Sequence, residues 1–259
     1  MLRIAGLSDI GLVRTKNEDA FWFDSDRAIF VLADGLGGHK AGEIAASLAV
    51  KILGERLCLA VDGGFTDFEL IDALQDAFSF ASEQIFTLGK DSDQLAGMAC
   101  SVIAGVLKQN ECYLAHAGDS RAYLYYENTL SQMTVDDTPV AALIKRGYLL
   151  PEKARSHNMK NFLVKSVGNK QQVDANISRF PIKTKEKLLL CSDGLWGVID
   201  DRQICEVIKA GTSPGEICRL LVQCARDQGG QDNITVIVAE VESSARSLHV
   251  DTAEIPPIV

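Results

Sequence analysis

Two rhythms of apolar and polar positions run along this chain. Over 43–59, Ile44, Leu48, Ile52, Leu53 and Leu57 recur at three- to four-residue spacing, and over 67–88 Phe68, Ile71, Leu74, Phe78 and Ile85 do the same before Gly89. That spacing predicts two successive helices. Elsewhere the apolar residues form short runs. The run 28–33 ends in Asp34-Gly35 and reads as a buried strand stopped by a turn. Three runs rich in Val, Ile and Tyr, at 101–107, 112–117 and 122–126, are separated by 108–110 and 118–120 and predict an antiparallel meander. Residues 135–161 are polar and irregular with a short helix over 140–146, and belong to a flap over about 135–167. Strands at 177–181, 188–191 and 234–239 and helices at 204–209 and 214–227 complete the pattern, the last helix opening on a Ser213 cap and Pro214. Residues from 243 onward read as a loose tail. There is no internal repeat and no uniform strand–helix alternation. An α+β fold with sheet packed on sheet and helices outside fits best, as one domain over 1–242.

Composition narrows the function. The 259 residues are 47% hydrophobic and 24% charged, which is globular. The net charge of −9 disfavours nucleic acid and anionic membrane as partners and leaves carboxylates available as cation ligands. Seven cysteines without a CxxC pair read as small buried hydrophobes in a reducing compartment, not as a zinc site. No apolar run is long enough to span a bilayer, and the N-terminus lacks the apolar core of a secretory signal. The expectation is a cytoplasmic monomer.

The informative feature is a set of carboxylates at strand ends. Apolar runs lead into Asp34-Gly35 and Asp193-Gly194, Gly118 precedes Asp119, Asp232-Asn233 precedes a strand, and Asn17-Glu18-Asp19 precedes an aromatic run. Any one of these has a plain reading as turn chemistry, and Asp62-Gly63, Asp24/Asp26 and Asp91/Asp93 are read that way. Several strands ending at one sheet edge, however, bring their terminal acids together. The repulsion among them is relieved by a divalent cation, and an oxygen-only donor set selects Mg²⁺ or Mn²⁺. Gly35 leaves the backbone open for its carbonyl to approach a metal.

The set 8–14 with Asn17-Glu18-Asp19, Ala33-Asp34-Gly-Leu-Gly-Gly38-His39, Ala117-Gly-Asp119-Ser-Arg121, Cys191-Ser-Asp193-Gly194 and Gly230-Gln-Asp232-Asn-Ile-Thr-Val resembles the metal-dependent protein phosphatases of the 2C type, above all the compact bacterial members. The match runs in order over nearly the whole chain. The resemblance implies a four-layer αββα sandwich of two antiparallel sheets. It implies a serine/threonine protein phosphatase with two Mn²⁺ or Mg²⁺ ions, whose bridging hydroxide attacks phosphorus directly. On it, Asp34 bridges both ions, Asp193 and Asp232 complete one, and the Gly35 carbonyl helps hold the other, with Glu18 and Asp19 acting through its waters. Asp119 with Asp193 supports a third, weaker ion. Arg14 clamps the phosphate, as a guanidinium matches two phosphoryl oxygens. His39 is the candidate for protonating the leaving oxygen or orienting substrate, with a metal-bound water as the alternative. The partners implied are phosphorylated proteins, targets of a cognate Ser/Thr kinase. None of the seven cysteines has an arginine six residues later, which argues against a cysteine phosphatase. Two other readings stand beside this one: a non-catalytic regulatory module of the same fold, and a small-molecule phosphomonoesterase. The chain departs from the family pattern at 97–100, at Asp136-Asp-Thr-Pro139, and at Lys165-Ser-Val-Gly168.

Overall fold

The computed structural model describes residues 2–37, 41–150, 153–154 and 157–242. The tail expected from 243 lies outside the described residues. Ten strands and six helices follow in the order β1 (Leu2–Asp9), β2 (Asp19–Asp24), β3 (Ile29–Leu36), α1 (Ala41–Asp62), α2 (Asp67–Lys90), β4 (Ala99–Lys108), β5 (Glu111–Ala117), β6 (Arg121–Tyr126), β7 (Thr129–Gln132), α3 (Pro139–Lys145), β8 (Asn176–Pro181), β9 (Lys187–Cys191), α4 (Asp193–Trp196), α5 (Asp201–Ala210), α6 (Pro214–Asp227) and β10 (Ile234–Val241).

The strands form two five-stranded antiparallel sheets. One has the order β1-β10-β9-β6-β7 and the other β2-β3-β4-β5-β8. Their inner faces supply a dry seam of Phe30, Leu32, Ile103 and Leu114 from one sheet and Leu188, Leu190 and Ile237 from the other. The outer face of the β3 sheet is covered by α1 and α2 through Leu53, Leu57, Leu74, Phe78 and Ile85. The outer face of the β10 sheet is covered by α5 and α6 through Ile204, Ile208, Ile217 and Leu221. The result is the αββα sandwich that the pattern and the resemblance implied. Strands such as 99–106 are buried on both faces because each sheet has a core on either side, so they read as continuous apolar runs.

The helices start where the sequence marks them. Thr66 and Glu69 form a reciprocal capping box at α2, and Asp200 and Gln203 form another at α5. Ser213 caps α6 ahead of Pro214.

One expectation is corrected. The three runs read as a meander do not stay together: β4 pairs with β5, but β6 pairs with β9 and β7 in the other sheet. The chain changes sheets at 118–120. Gly118 sits at φ +122°, and a Cβ there would come within 2.3 Å of Ser101 Oγ. Ser101 in turn accepts from the Asp119 and Ser120 amides at 3.0 and 2.8 Å. That crossing needs a conformation and a proximity that only glycine tolerates.

Candidate metal centre

The acid-bearing ends of both sheets meet at one end of the sandwich. Asp19 opens β2 and is the register partner of Asp34 on β3. Asp34 does not end its strand, as the pattern suggested; β3 runs on to Leu36, paired with β4. Gly35 is a glycine for packing. Its amide donates to the Glu18 carbonyl at 3.1 Å, and a Cβ would come within 2.3 Å of the Gly42 carbonyl and 2.5 Å of that of Glu18. From the facing sheet, Asp193 follows β9 as the first residue of α4, with Ser192 in the N-cap position. Asp232 immediately precedes Asn233 and β10. Asp119 lies on the sheet-crossing turn and is buried.

Polar side chains from distant segments fix these acids. Ser192 Oγ donates to Asp19 Oδ2 at 2.8 Å and accepts from the Thr235 amide at 3.0 Å. Asn233 is buried and fully engaged: it donates to the Ile10 and Lys16 carbonyls at 3.0 and 2.9 Å and accepts from the Glu18 amide at 2.8 Å. It therefore holds both ends of the 10–18 loop that carries Arg14. The Arg14 guanidinium is exposed and reaches Asp232 Oδ2 at 2.7 Å. Trp196 Nε1 donates to the Asp119 carbonyl at 3.1 Å, and the Arg121 guanidinium lies 3.7 Å from the Trp196 ring centre. Arg121 is gripped bidentately by Asp136 at 2.9 and 2.7 Å.

Electrostatics mark the cluster as strained without a cation. Burial, then the charges of Asp19, Asp193, Asp119 and Asp232, pushes the Asp34 carboxyl well above the ordinary range. Asp19 rises to about 7, chiefly by burial, against the Thr235 and Ser192 hydrogen bonds. Asp119 rises to about 7 by burial and the neighbouring Asp193, and Asp193 to about 6 by burial and Asp232. Burial also raises Glu18. Like charges held together in a partly dry site disfavour ionisation.

This donor set fits hard divalent cations. Its side chains are all carboxylates, and a cation removes the repulsion that raises them. Among the described residues no three His, Cys, Asp or Glu side chains are drawn into a finished chelate. Asp19 is turned to Ser192, and Asp232 to Arg14 and the Asn233 amide. The acids converge without closing around a point.

Of the residues expected from sequence, Asp19, Asp34, Asp119, Asp193 and Asp232 interact as one electrostatic cluster, and Arg14 and Glu18 border it. His39 lies outside the described residues. The aspartates read as decoys are surface groups: Asp62 pairs with Arg27 at 2.8 Å, and Asp24 accepts from the Asp26 and Arg27 amides. Sequence reasoning missed the supporting roles of Ser101, Ser192, Trp196 and Asn233. Their signal, adjacency to the acids, says nothing of direction. It also noted the departures at 136–139 and 165–168 without a cause. Asp137 and Lys165 meet there: Asp137 accepts from the Gly118 amide at 3.1 Å and from Asn176 Nδ2 at 2.9 Å, and Lys165 donates to Asn176 Oδ1 at 2.8 Å. This knot anchors both roots of the flap beside Asp119.

Carboxylates gathered from two facing sheets, with one guanidinium at their edge, define a centre for hard dications acting on an anionic substrate. The chain belongs to the protein phosphatase 2C family, whose sequence model matches residues 13–216. It is 32% identical over 236 residues to the serine/threonine phosphatase stp of Listeria welshimeri, covering 90% of this chain and 93% of that protein. It matches the crystal structure of the Mycobacterium tuberculosis serine/threonine phosphatase PstP/Ppp with a TM-score of 0.85 and 34% identity, over 93% of this chain and 99% of that one. A PstP catalytic domain in complex with two manganese ions matches with a TM-score of 0.82 and 33% identity, over 93% and 98% of the two chains.

Proposed function

We propose that this protein hydrolyses phosphoserine and phosphothreonine in proteins, with Asp34, Asp193, Asp232 and the Gly35 carbonyl as ligands of two Mn²⁺ or Mg²⁺ ions. Glu18 and Asp19 support the ions through water, and Asp119 with Asp193 serves a third, weaker one. The observation that carries the reading is the convergence of Asp19 and Asp34 from one sheet with Asp193 and Asp232 from the other, all in mutual electrostatic contact. The names of the relatives support the same reaction class.

When bound, the dications supply Lewis acidity, offsetting phosphoryl charge and making water nucleophilic near neutral pH. The chain's own groups do the rest. Arg14 exchanges its hold on Asp232 for two phosphoryl oxygens, so substrate binding releases an acid toward the centre. Asn233 fixes the loop that presents Arg14. His39 remains the candidate to protonate or orient the leaving oxygen.

The phosphatase domain spans 1–242 with a flap over about 135–167, and the partners are phosphoproteins that a cognate Ser/Thr kinase modifies. We place the protein as a cytoplasmic monomer, and the net charge of −9 supports a protein that binds neither nucleic acid nor anionic membrane. Among the described residues no helix is long and apolar enough to cross a membrane. A non-catalytic module would keep buried repelling acids with no compensating use. Hydrolysis of p-nitrophenyl phosphate and of a phosphothreonine peptide, dependent on Mn²⁺ and lost on chelation, tests the reading. Turnover of neither with Mn²⁺ present refutes it, and turnover of the small ester alone points to the small-molecule esterase.

A further inference from the structure

A cavity of about 870 Å³ opens beside the acid cluster, and Asp193 and Asp232 form part of its wall. We infer that it receives the polypeptide flanking the phosphoresidue and selects an apolar side chain there; this rests on the phosphatase reading. The volume lies in the range of specific ligand sites. Because the cavity shares Asp193 and Asp232 with the catalytic end, a phosphoprotein bound there runs its adjoining backbone into it.

The walls say what it prefers. On the flap side α3 contributes Val140, Ala141 and Ile144; on the other side stand Trp196 and Val198. Trp196 is held in place by its hydrogen bond to the Asp119 carbonyl and by Arg121 stacked on its ring. The carboxylates outside the cation set are already engaged. Asp136 is taken bidentately by Arg121, Asp201 accepts from Tyr123 Oη at 3.3 Å, and Asp200 caps α5 through the Gln203 amide at 2.7 Å. An apolar flanking residue loses water against five hydrophobic side chains, whereas a basic one meets only the exposed carboxylates of Asp200 and Asp201, where an ion pair contributes little. Lys160 and Arg202 also line the cavity, so an acidic flank is the competing outcome.

The test uses phosphothreonine peptides that differ in one residue, Leu, Gly, Lys or Asp, at each of the two positions on either side of the phosphothreonine. Turnover of p-nitrophenyl phosphate, which has no flank, is the control. We expect kcat/KM for a Leu peptide to exceed its Gly, Lys and Asp counterparts by about tenfold at one position or more. Ile144→Asp and Val198→Asp should each erase that preference while p-nitrophenyl phosphate turnover stays unchanged. Equal rates across the four residues, or a preference for Asp or Lys, would overturn the inference, as would loss of the control reaction in step with the peptide. Should neither the control nor any of the peptides turn over in the wild type with Mn²⁺ present, the phosphatase reading fails instead. Fluorescence anisotropy of the same labelled peptides then still reads whether the cavity prefers Leu.

Discussion

Replacing Asp193 by Asn removes one charge from the crowded end of the sandwich and leaves its shape. In the folded chain that carboxyl sits at about 6 instead of 3.8, raised by burial and by Asp232. A carboxyl raised in the folded state binds its proton more tightly there than in the unfolded chain. Stability is therefore lost as pH climbs from about 4 to about 6, and the loss is complete above that. At about 1.4 kcal/mol for each tenfold change in proton affinity, the loss at pH 8 is at most about 3 kcal/mol. Metal-free Asp193→Asn should accordingly be more stable than metal-free wild type at pH 8. For a domain of this size each kcal/mol moves Tm by roughly 2–4 °C, so the gain is roughly 6–12 °C at most. It should shrink toward zero as pH falls to 4. The assay is thermal unfolding in EDTA across that range, repeated with Mn²⁺, alongside phosphatase activity. Mn²⁺ should raise Tm strongly in the wild type and weakly in the variant, which should retain almost no activity. A variant that melts at or below the wild type at pH 8, or a gap that is the same at pH 4 and pH 8, refutes the account of these acids as mutually destabilising.

Arg14→Ala should lower kcat/KM for phosphopeptides by about ten- to a hundredfold, mostly through KM, since a guanidinium–phosphate contact contributes about 1.5–3 kcal/mol; steady-state kinetics on one peptide read it. Asn233→Ala strands the Ile10 and Lys16 carbonyls and the Glu18 amide, so urea unfolding should show a loss of about 2–3 kcal/mol. Because Asp19 and Asp119 are raised to about 7, protons compete with cations near neutrality, and the Mn²⁺ concentration for half-maximal binding, read by calorimetry, should climb as pH drops from 8 to 6. A flat affinity over that interval would contradict the raised carboxyls.

Much of this architecture was legible in the chain because its signals are local. The periods of α2 and α6 are long and clear, α1 shows as a long apolar-rich stretch, and Ser213-Pro214 announces its helix. The runs that became β4, β5 and β10 are buried on both faces and show as unbroken apolar stretches. What escaped was partner choice. Nothing local distinguishes a hairpin turn at 118–120 from a passage to the other sheet; that is decided by Ser101, nearly twenty residues away, and by pairing with β9. Strand β1 was not marked because its residues alternate weakly: most are half-buried and it pairs with β10 alone. The short β7 and α4 carry too few residues for a period. At the centre, the carboxylates were visible as a repeated Asp beside turn residues, whereas the seating of each acid was not. Ser192, Asn233 and Trp196 act through direction and reach, which spacing along a chain does not encode.

The unequal seam between the sheets has a consequence for motion. Along most of their length the two layers adhere through a dry interior that resists sliding. At the end bearing Asp19, Asp34, Asp193 and Asp232, like charges push the same layers apart. A cation held there as proposed would work as a clasp across both, so occupancy would reach beyond the reaction into how tightly the sandwich shuts. Chelation would loosen that rim first, and amide exchange should quicken at 10–18 and 230–233 before the far end responds.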